Sequence, residues 1–263
     1  MLVDNKFFYL SLPRCASTAF NYSCILYGVD VQTHNGDWEK ENVNTDFNKI
    51  DKVSLMNYIY HGHESLIDLQ SKFGVDYPVI AVKRQRHERF YSLYKHVLFD
   101  LQRMGFHRIY DVFSKMTLEE LFFFTKDDIQ NKKKRWDVIC DFLIDLKIID
   151  ERIDISVTSK FRKSEEEYIK SKTKGYAINI IDILLTPISD WTNNDPNIIW
   201  FDFNKMNELE GWVSDKIGRP FHLHSVNSSK HMECKIVMNE EFIEKYNSVY
   251  DYYDFPKIEK TLI

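Results

Sequence analysis

The chain has 263 residues, 44% of them hydrophobic and 15% aromatic, which is long enough to bury a full core as one large domain. The net charge of -5 disfavours a general nucleic-acid-binding protein, and four cysteines without a Cys-x-x-Cys pair disfavour a zinc site or a disulfide framework. No signal peptide and no apolar stretch near the ~18 residues of a membrane span are apparent, so we expect a soluble, cytoplasmic protein.

The first predicted elements are a strand, a loop and a helix. Residues 7–10 form a bulky, β-prone run that Pro13 ends, and apolar residues at helical spacing follow from Ala19. Ser17 and Thr18 are residue types that cap helix N-termini. A strand that leads through a loop into a helix N-terminus directs several backbone N–H groups to one point, where phosphate or sulfate binds. On this stretch alone, an ordinary first strand and helix of an α/β domain is the simpler interpretation. Residues 11–18 are therefore a candidate anion-binding loop that needs support from elsewhere in the chain.

Strands and helices alternate along the rest of the chain. Strands are predicted at 58–60, 78–83 and 198–203, and helices at 64–73, 90–104, 136–146, 206–217 and from 242 onwards, with a capping box at Thr117 and Glu120. The charged residues 150–175 are interpreted as an exposed excursion, and the basic run 132–135 as a solvated face. The alternation predicts a three-layer α/β fold with a central parallel sheet, in a single domain over residues 1–263.

A second group of polar residues follows the predicted strand at 78–83. Arg84 comes directly after the strand, and Arg89 and Ser92 share a face of the next helix. A guanidinium with a nearby hydroxyl is a good receptor for a phosphate dianion. Because ligands of parallel sheets bind at the carboxyl ends of the strands, the anion-binding loop, residues 61–63 and Arg84 are expected to share one edge. Two anion sites at one edge predict a ligand with two separated anionic groups.

Taken together, these segments resemble the sulfotransferases that use 3′-phosphoadenosine 5′-phosphosulfate (PAPS). The loop Pro13-Arg14-Cys15-Ala16-Ser17-Thr18 is similar to their 5′-phosphosulfate loop. The pattern R-x-x-x-x-R-x-x-S-x-Y from Arg84 to Tyr94 is similar to their 3′-phosphate segment. The segment Tyr60-His61-Gly62-His63 further resembles the heparan sulfate and uronyl 2-O-sulfotransferases. The resemblance implies a fold like that of nucleotide kinases, with PAPS as donor, a hydroxylated acceptor such as a glycan, and no metal.

The resemblance also implies roles for individual residues. His63 is the expected catalytic base, with His61 as the open alternative, and Arg14 is expected to stabilise the leaving phosphate. Donor contacts are expected from Arg14, Cys15, Ala16, Ser17, Thr18, Arg84, Ser92, Ser229 and Lys230, the last two in a loop that closes over the nucleotide. The chain departs from the family by having Arg14 in place of the usual Lys and Arg86 in place of a Pro, and we expect no membrane anchor before the domain.

Two other classes of function remain open from the sequence. A nucleotide or small-molecule kinase would use a related sheet, but the loop lacks the Gly-x-x-x-x-Gly-Lys-[Ser/Thr] pattern. A non-catalytic nucleotide- or polyanion-binding module would make His63 dispensable. His61 and His63 could also form a metal pair, although no third ligand is apparent in the sequence.

Overall fold

The computed structural model describes residues 1–33, 36–37, 63–103, 105–116, 131–147, 149, 178, 181–184, 186–224 and 236–244. The chain divides into two compact units. The first comprises residues 1–89, 188–228 and 255–263, and the second comprises residues 90–187 and 229–254. That the chain is a single domain stays a prediction. The predicted excursion at 150–175 lies outside the described residues.

A mixed sheet lies at the centre of the first unit. Its strands in the described part of the chain are β1 (Leu2–Val3), β2 (Phe7–Leu10), β3 (Val31–Thr33), β4 (Gly36–Asp37), β5 (Val79–Lys83) and β6 (Ile199–Asp202), in the order β4-β3-β1-β2-β5-β6. Strands β2, β5 and β6 are parallel, whereas β1, β3 and β4 pair antiparallel. The predicted parallel sheet is therefore confirmed for three strands, and the chain adds an antiparallel side to it.

The register aligns the carboxyl ends of the three parallel strands. Leu10 of β2 pairs with Ala81 of β5, and Lys83 of β5 pairs with Asp202 of β6. The segments that follow these strands therefore leave the sheet at the same edge, which is where open α/β sheets bind ligands.

Helices cover both faces of this sheet. In the first unit they are α1 (Ser17–Leu26), α2 (Leu66–Phe73), the first turn of α3 (Arg86–Arg103), α6 (Ile188–Thr192) and α7 (Met206–Ile217). Phe7 packs edge-on against Trp212 of α7, with ring centroids 5.0 Å apart. The next residue, Phe8, points to the opposite face of the pleated strand and packs against Phe73 of α2 at 6.3 Å. This unit is therefore an α/β structure with helices on both sides of the sheet.

Strand β2 is buried along its whole length, as its hydrophobic sequence predicts. Tyr9 lies on the same face as Phe7 and stacks on Phe20 of α1, with centroids 3.8 Å apart and nearly parallel rings. The Tyr9 hydroxyl donates to the carbonyl of Cys15 at 3.2 Å. One residue thus joins the strand, the first helix and the loop between them.

Local sequence signals explain where the helices begin and end. A capping box between Ser65 and Asp68 starts α2, and Gly74 ends it with φ of 93°. Gly218 ends α7 in the left-handed conformation that glycine adopts without steric cost. The strand predicted at 58–60, the capping box at Thr117 and the loop from Asn227 to Lys230 lie outside the described residues.

The described residues of the second unit are mainly helical. They include α3 from Phe90 onwards, α4 (His107–Phe113), α5 (Lys132–Asp145) and helical residues at 181–184 and 240–244. A core of aliphatic and aromatic residues from these segments holds the unit together. No described helix is both long and apolar enough to cross a membrane.

One part of the basic run 132–135 is not a solvated face. Arg135 is fully buried in the second unit, and its Nε donates to Asp182 Oδ1 at 2.6 Å. Its Nη2 lies 3.4 Å from Thr186 Oγ1, so a buried polar group is satisfied by two partners. The interpretation of Arg135 as solvated is wrong, because the guanidinium has a carboxylate inside the core. Lys133 and Lys134 are exposed, as expected.

Candidate functional site

The loop between β2 and α1 has an unusual backbone. Arg14 has φ of 62° and Ala16 has φ of 64°, which are left-handed values for residues other than glycine, while Cys15 between them is not left-handed. Each residue in such a conformation destabilises the fold by about 1–3 kcal/mol, and the conformation persists only where the surrounding structure imposes it. When successive residues alternate between left-handed and other conformations, their N–H groups point to one side of the backbone. Such an arrangement commonly binds an anion.

The helix cap differs from the one that the sequence predicts. Ala16 is the N-cap residue of α1, with no side-chain hydrogen bond, and Ser17 and Thr18 lie inside the first turn. The hydroxyls of Ser17 and Thr18 therefore do not perform the capping role that their residue types predict. Ser17 is buried and Thr18 is half-buried, both at the N-terminus of the helix where partial positive charge is highest.

His63 lies against this loop. Its Nδ1 is hydrogen-bonded to the backbone carbonyl of Ser11. Because a carbonyl oxygen can only accept, Nδ1 carries the hydrogen, and in the neutral ring the lone pair is on Nε2. The capping box that starts α2 begins two residues later at Ser65 and fixes the chain here. His61, the alternative base, lies outside the described residues.

Arg84 follows β5 and leans towards the segment after β6. Its guanidinium carbon lies 4.5 Å from the ring centroid of Phe203. Its Nε lies 3.4 Å from Glu88 Oε2, in a partly exposed ion pair one turn along the chain. The aromatic ring packs against the guanidinium, whose donors match the oxygens of a phosphate group.

Arg89 leans the other way, towards the loop after β2. It is only 6% exposed, and its Nε donates to the carbonyl of Pro13 at 3.2 Å. Its guanidinium carbon lies 5.6 Å from the ring centroid of Trp191 in α6. Within the described residues, its Nη2 has no hydrogen-bond partner, and none of the ion pairs includes Arg89.

The pKa of the Cys15 thiol is influenced by positive charges around the loop. Burial raises the pKa of its thiol, and the positive charges of Arg89, Arg84 and Arg14, in that order, oppose the rise. A hydrogen bond between Arg89 and the thiol acts in the same direction as these charges. Three guanidiniums therefore act on one buried loop residue, and the positive potential there suits an anionic ligand.

Two residues of this site were not among the residues expected to contact the donor. The first is Arg89, whose position carried a signal: it continues the four-residue series of Leu93, Val97 and Leu101 on the buried stripe of α3. A charge on a buried stripe is unusual and often functional. The second is Ser11, which is 4% exposed and whose Oγ has no hydrogen-bond partner among the described residues.

The structure brings some of the predicted residues together and leaves others apart. Arg14, Cys15, Ala16, Ser17 and Thr18 belong to the loop and helix start, with His63 and Arg84 at the same edge of the sheet. Ser92 is buried on α3 within the second unit. Tyr94 of the same motif is a core residue of that unit, and its hydroxyl donates to the carbonyl of Phe113. Ser229 and Lys230 lie outside the described residues.

Comparisons of the chain with protein-family models, with curated proteins and with solved structures found no match in any of the three. Within the described residues, no group of three or more His, Cys, Asp or Glu side chains could hold a metal ion.

Proposed function

We propose that the chain is a sulfotransferase that moves the sulfuryl group of PAPS to a hydroxyl of an acceptor, with a carbohydrate as the acceptor class. One observation carries the proposal. Arg14 lies in the loop after β2, Arg89 donates to the Pro13 carbonyl of that loop, and Arg84 follows the neighbouring parallel strand. The imidazole of His63 is hydrogen-bonded to the same loop. Cations for a polyanionic donor and a base for a hydroxyl acceptor thus occupy one edge of the sheet.

In this proposal the segment from β2 to α1 acts as a phosphate loop without the Gly-Lys pair of ATP-binding loops. The N–H groups at the start of α1, together with Arg14, bind the 5′-phosphosulfate. Arg84, on the side of the site nearer β6, binds the 3′-phosphate. Two guanidiniums that follow neighbouring parallel strands fit a donor whose two anionic groups are separated by a ribose.

The chemical step needs one base and one site of charge stabilisation. Nε2 of His63 removes the proton of the acceptor hydroxyl while the new S–O bond forms. The bond between sulfur and the bridging oxygen of the 5′-phosphate breaks, and 3′-phosphoadenosine 5′-phosphate (PAP) leaves with the electron pair. Arg14 and the loop N–H groups stabilise the negative charge that this oxygen gains.

Thermal unfolding with a ligand panel separates this proposal from its rivals. Ligands that bind only the folded state stabilise by about 2.7 kcal/mol at 100 times their Kd. We expect PAP to raise the unfolding temperature much more than ATP at equal concentration. Stabilisation by ATP alone would favour a kinase, and stabilisation by heparin without PAP would favour a polyanion-binding module.

Replacing Arg84 with methionine is expected to weaken PAP binding by roughly 2 kcal/mol, since one charge-assisted contact is lost. The methionine keeps an aliphatic stem over Phe203. Adenosine 5′-phosphosulfate has no 3′-phosphate, so calorimetry should give it nearly the same affinity for the variant as for the wild type. Arg219→Met is the matched control, because Arg219 is an exposed arginine that donates to the carbonyl of Gly28. Equal losses for both ligands would show that Arg84 does not bind the 3′-phosphate.

A further inference from the structure

Arg89 is a buried cation for which the described part of the chain offers no counter-charge. A guanidinium stays protonated in proteins, so burial cannot neutralise it as it neutralises a lysine or a carboxylate. Burying an unpaired charge is costly unless hydrogen bonds or an opposite charge compensate it. In the described part of the chain, Arg89 has the Pro13 carbonyl, the Cys15 thiol and the Trp191 ring, but no carboxylate. A bound anion would supply the counter-charge that the described residues do not.

The contacts of Arg89 also indicate which anion. Pro13 and Cys15 both belong to the loop after β2, whereas Arg84 is held by Phe203 after β6. Because β5 lies between β2 and β6, the two arginines lean towards opposite flanks of the strand that they follow. A donor with two anionic groups would therefore meet one arginine on each flank.

We propose that Arg89 binds the 5′-phosphate of the nucleotide, the group that stays on the product, through the Nη2 that has no partner in the described residues. The hydrogen bond from its Nε to the Pro13 carbonyl also helps to hold the loop, in which Arg14 and Ala16 are left-handed. This inference rests on the proposed function for the identity of the nucleotide, but its core claim is a tetrahedral phosphate on the loop after β2. In this division, Arg14 stabilises the charge on the bridging oxygen as its bond to sulfur breaks. Arg89 binds the 5′-phosphate itself, which stays on the nucleotide product.

Calorimetry with ligands that carry only part of PAP tests whether Arg89 binds the 5′-phosphate and Arg84 binds the 3′-phosphate. The probes are PAP, adenosine 5′-monophosphate, adenosine 3′-monophosphate and inorganic pyrophosphate. Arg89→Met should weaken the three probes that offer a 5′-phosphate or pyrophosphate by about tenfold to hundredfold, the size of one charged hydrogen bond. It should leave adenosine 3′-monophosphate unchanged. Arg84→Met should weaken adenosine 3′-monophosphate and leave adenosine 5′-monophosphate unchanged. Arg89→Lys should restore part of the affinity, since it keeps the charge and loses the fork.

One measurement and two further variants guard against a merely structural effect. Cys15 is buried and burial raises its thiol pKa, so maleimide should react slowly with Cys15 in any variant whose loop is intact. If Arg89→Met does not fold, Arg89→Lys carries the test, with a smaller loss confined to the same three probes. Arg219→Met serves as the control for loss of an arginine elsewhere in the first unit.

The outcomes distinguish this inference from the proposed function. Loss of pyrophosphate and 5′-monophosphate binding on Arg89 substitution supports the inference even if no sulfuryl transfer is ever detected. A folded variant that binds all four probes like the wild type overturns it, and so does an equal loss for adenosine 3′-monophosphate. A wild-type protein that binds none of the probes contradicts both.

Discussion

Replacing His63 with asparagine is expected to lower the turnover number by about 10²–10⁴-fold, the range for loss of a general base. Asparagine can still donate an N–H to the carbonyl of Ser11, so the loop should keep its position. It has no basic nitrogen, so it cannot take the proton of the acceptor hydroxyl. The measurement is steady-state sulfuryl transfer, combined with PAP affinity, which should stay near the wild-type value.

The control for this substitution is His222→Asn, since His222 is an exposed histidine of the same unit that contacts Glu210 of α7. It should leave turnover unchanged. Wild-type turnover should also fall on acidification, because an imidazolium ring has no lone pair to accept the proton. A folded His63→Asn protein with near wild-type turnover would remove His63 from the mechanism.

Replacing Arg14 with alanine is expected to lower the turnover number by about 10²–10³-fold, as for loss of a preorganised charge at the leaving group, with a smaller change in KM. Interactions made only in the transition state appear in kcat. Arg14 already adopts left-handed φ, and alanine also carries a Cβ, so the substitution adds no new backbone strain. Arg14→Lys should keep part of the activity.

The split between kcat and KM decides the role of Arg14. If Arg14→Ala keeps the wild-type kcat and raises only KM, Arg14 is a donor anchor and takes no part in charge stabilisation. The comparison with Arg89 is informative here, because Arg89 is proposed to bind a phosphate that is charged before and after transfer. Arg89→Lys should therefore change PAP affinity more than kcat.

The elements nearest the site could be predicted from the sequence because their signals are strong and local. The bulky run of β2, the apolar run of β5 and the glycines after α2 and α7 each predict a boundary by a direct steric or burial argument. Strands β1, β3 and β4 were not predicted, because two or three residues are too few to show a period of two. Their pairing depends on tertiary context, including the turn at Asp4 and Asn5, where φ is 50° and 51°.

The composition of the site was only partly accessible from the sequence. Residue type and the position after a strand were enough to select Arg14, Arg84 and His63. The left-handed backbone at Ala16 could not be foreseen, because alanine carries no signal for it, and Ser17 looked like the better cap. The sequence motif identifies Arg89, but its burial against Trp191 depends on a chain segment about one hundred positions away.

Transfer of labelled sulfate from PAPS to a panel of glycans and small hydroxylated acceptors tests the central claim most directly. The assay compares the wild type with His63→Asn and His222→Asn, all checked for folding and for PAP binding. We predict that the wild type and the His222 variant label at least one hydroxyl acceptor and release PAP in equal amount, while the His63 variant binds PAP and transfers almost nothing. Wild-type protein that binds PAP but labels no acceptor, or equal transfer by the wild type and the His63 variant, would contradict the account.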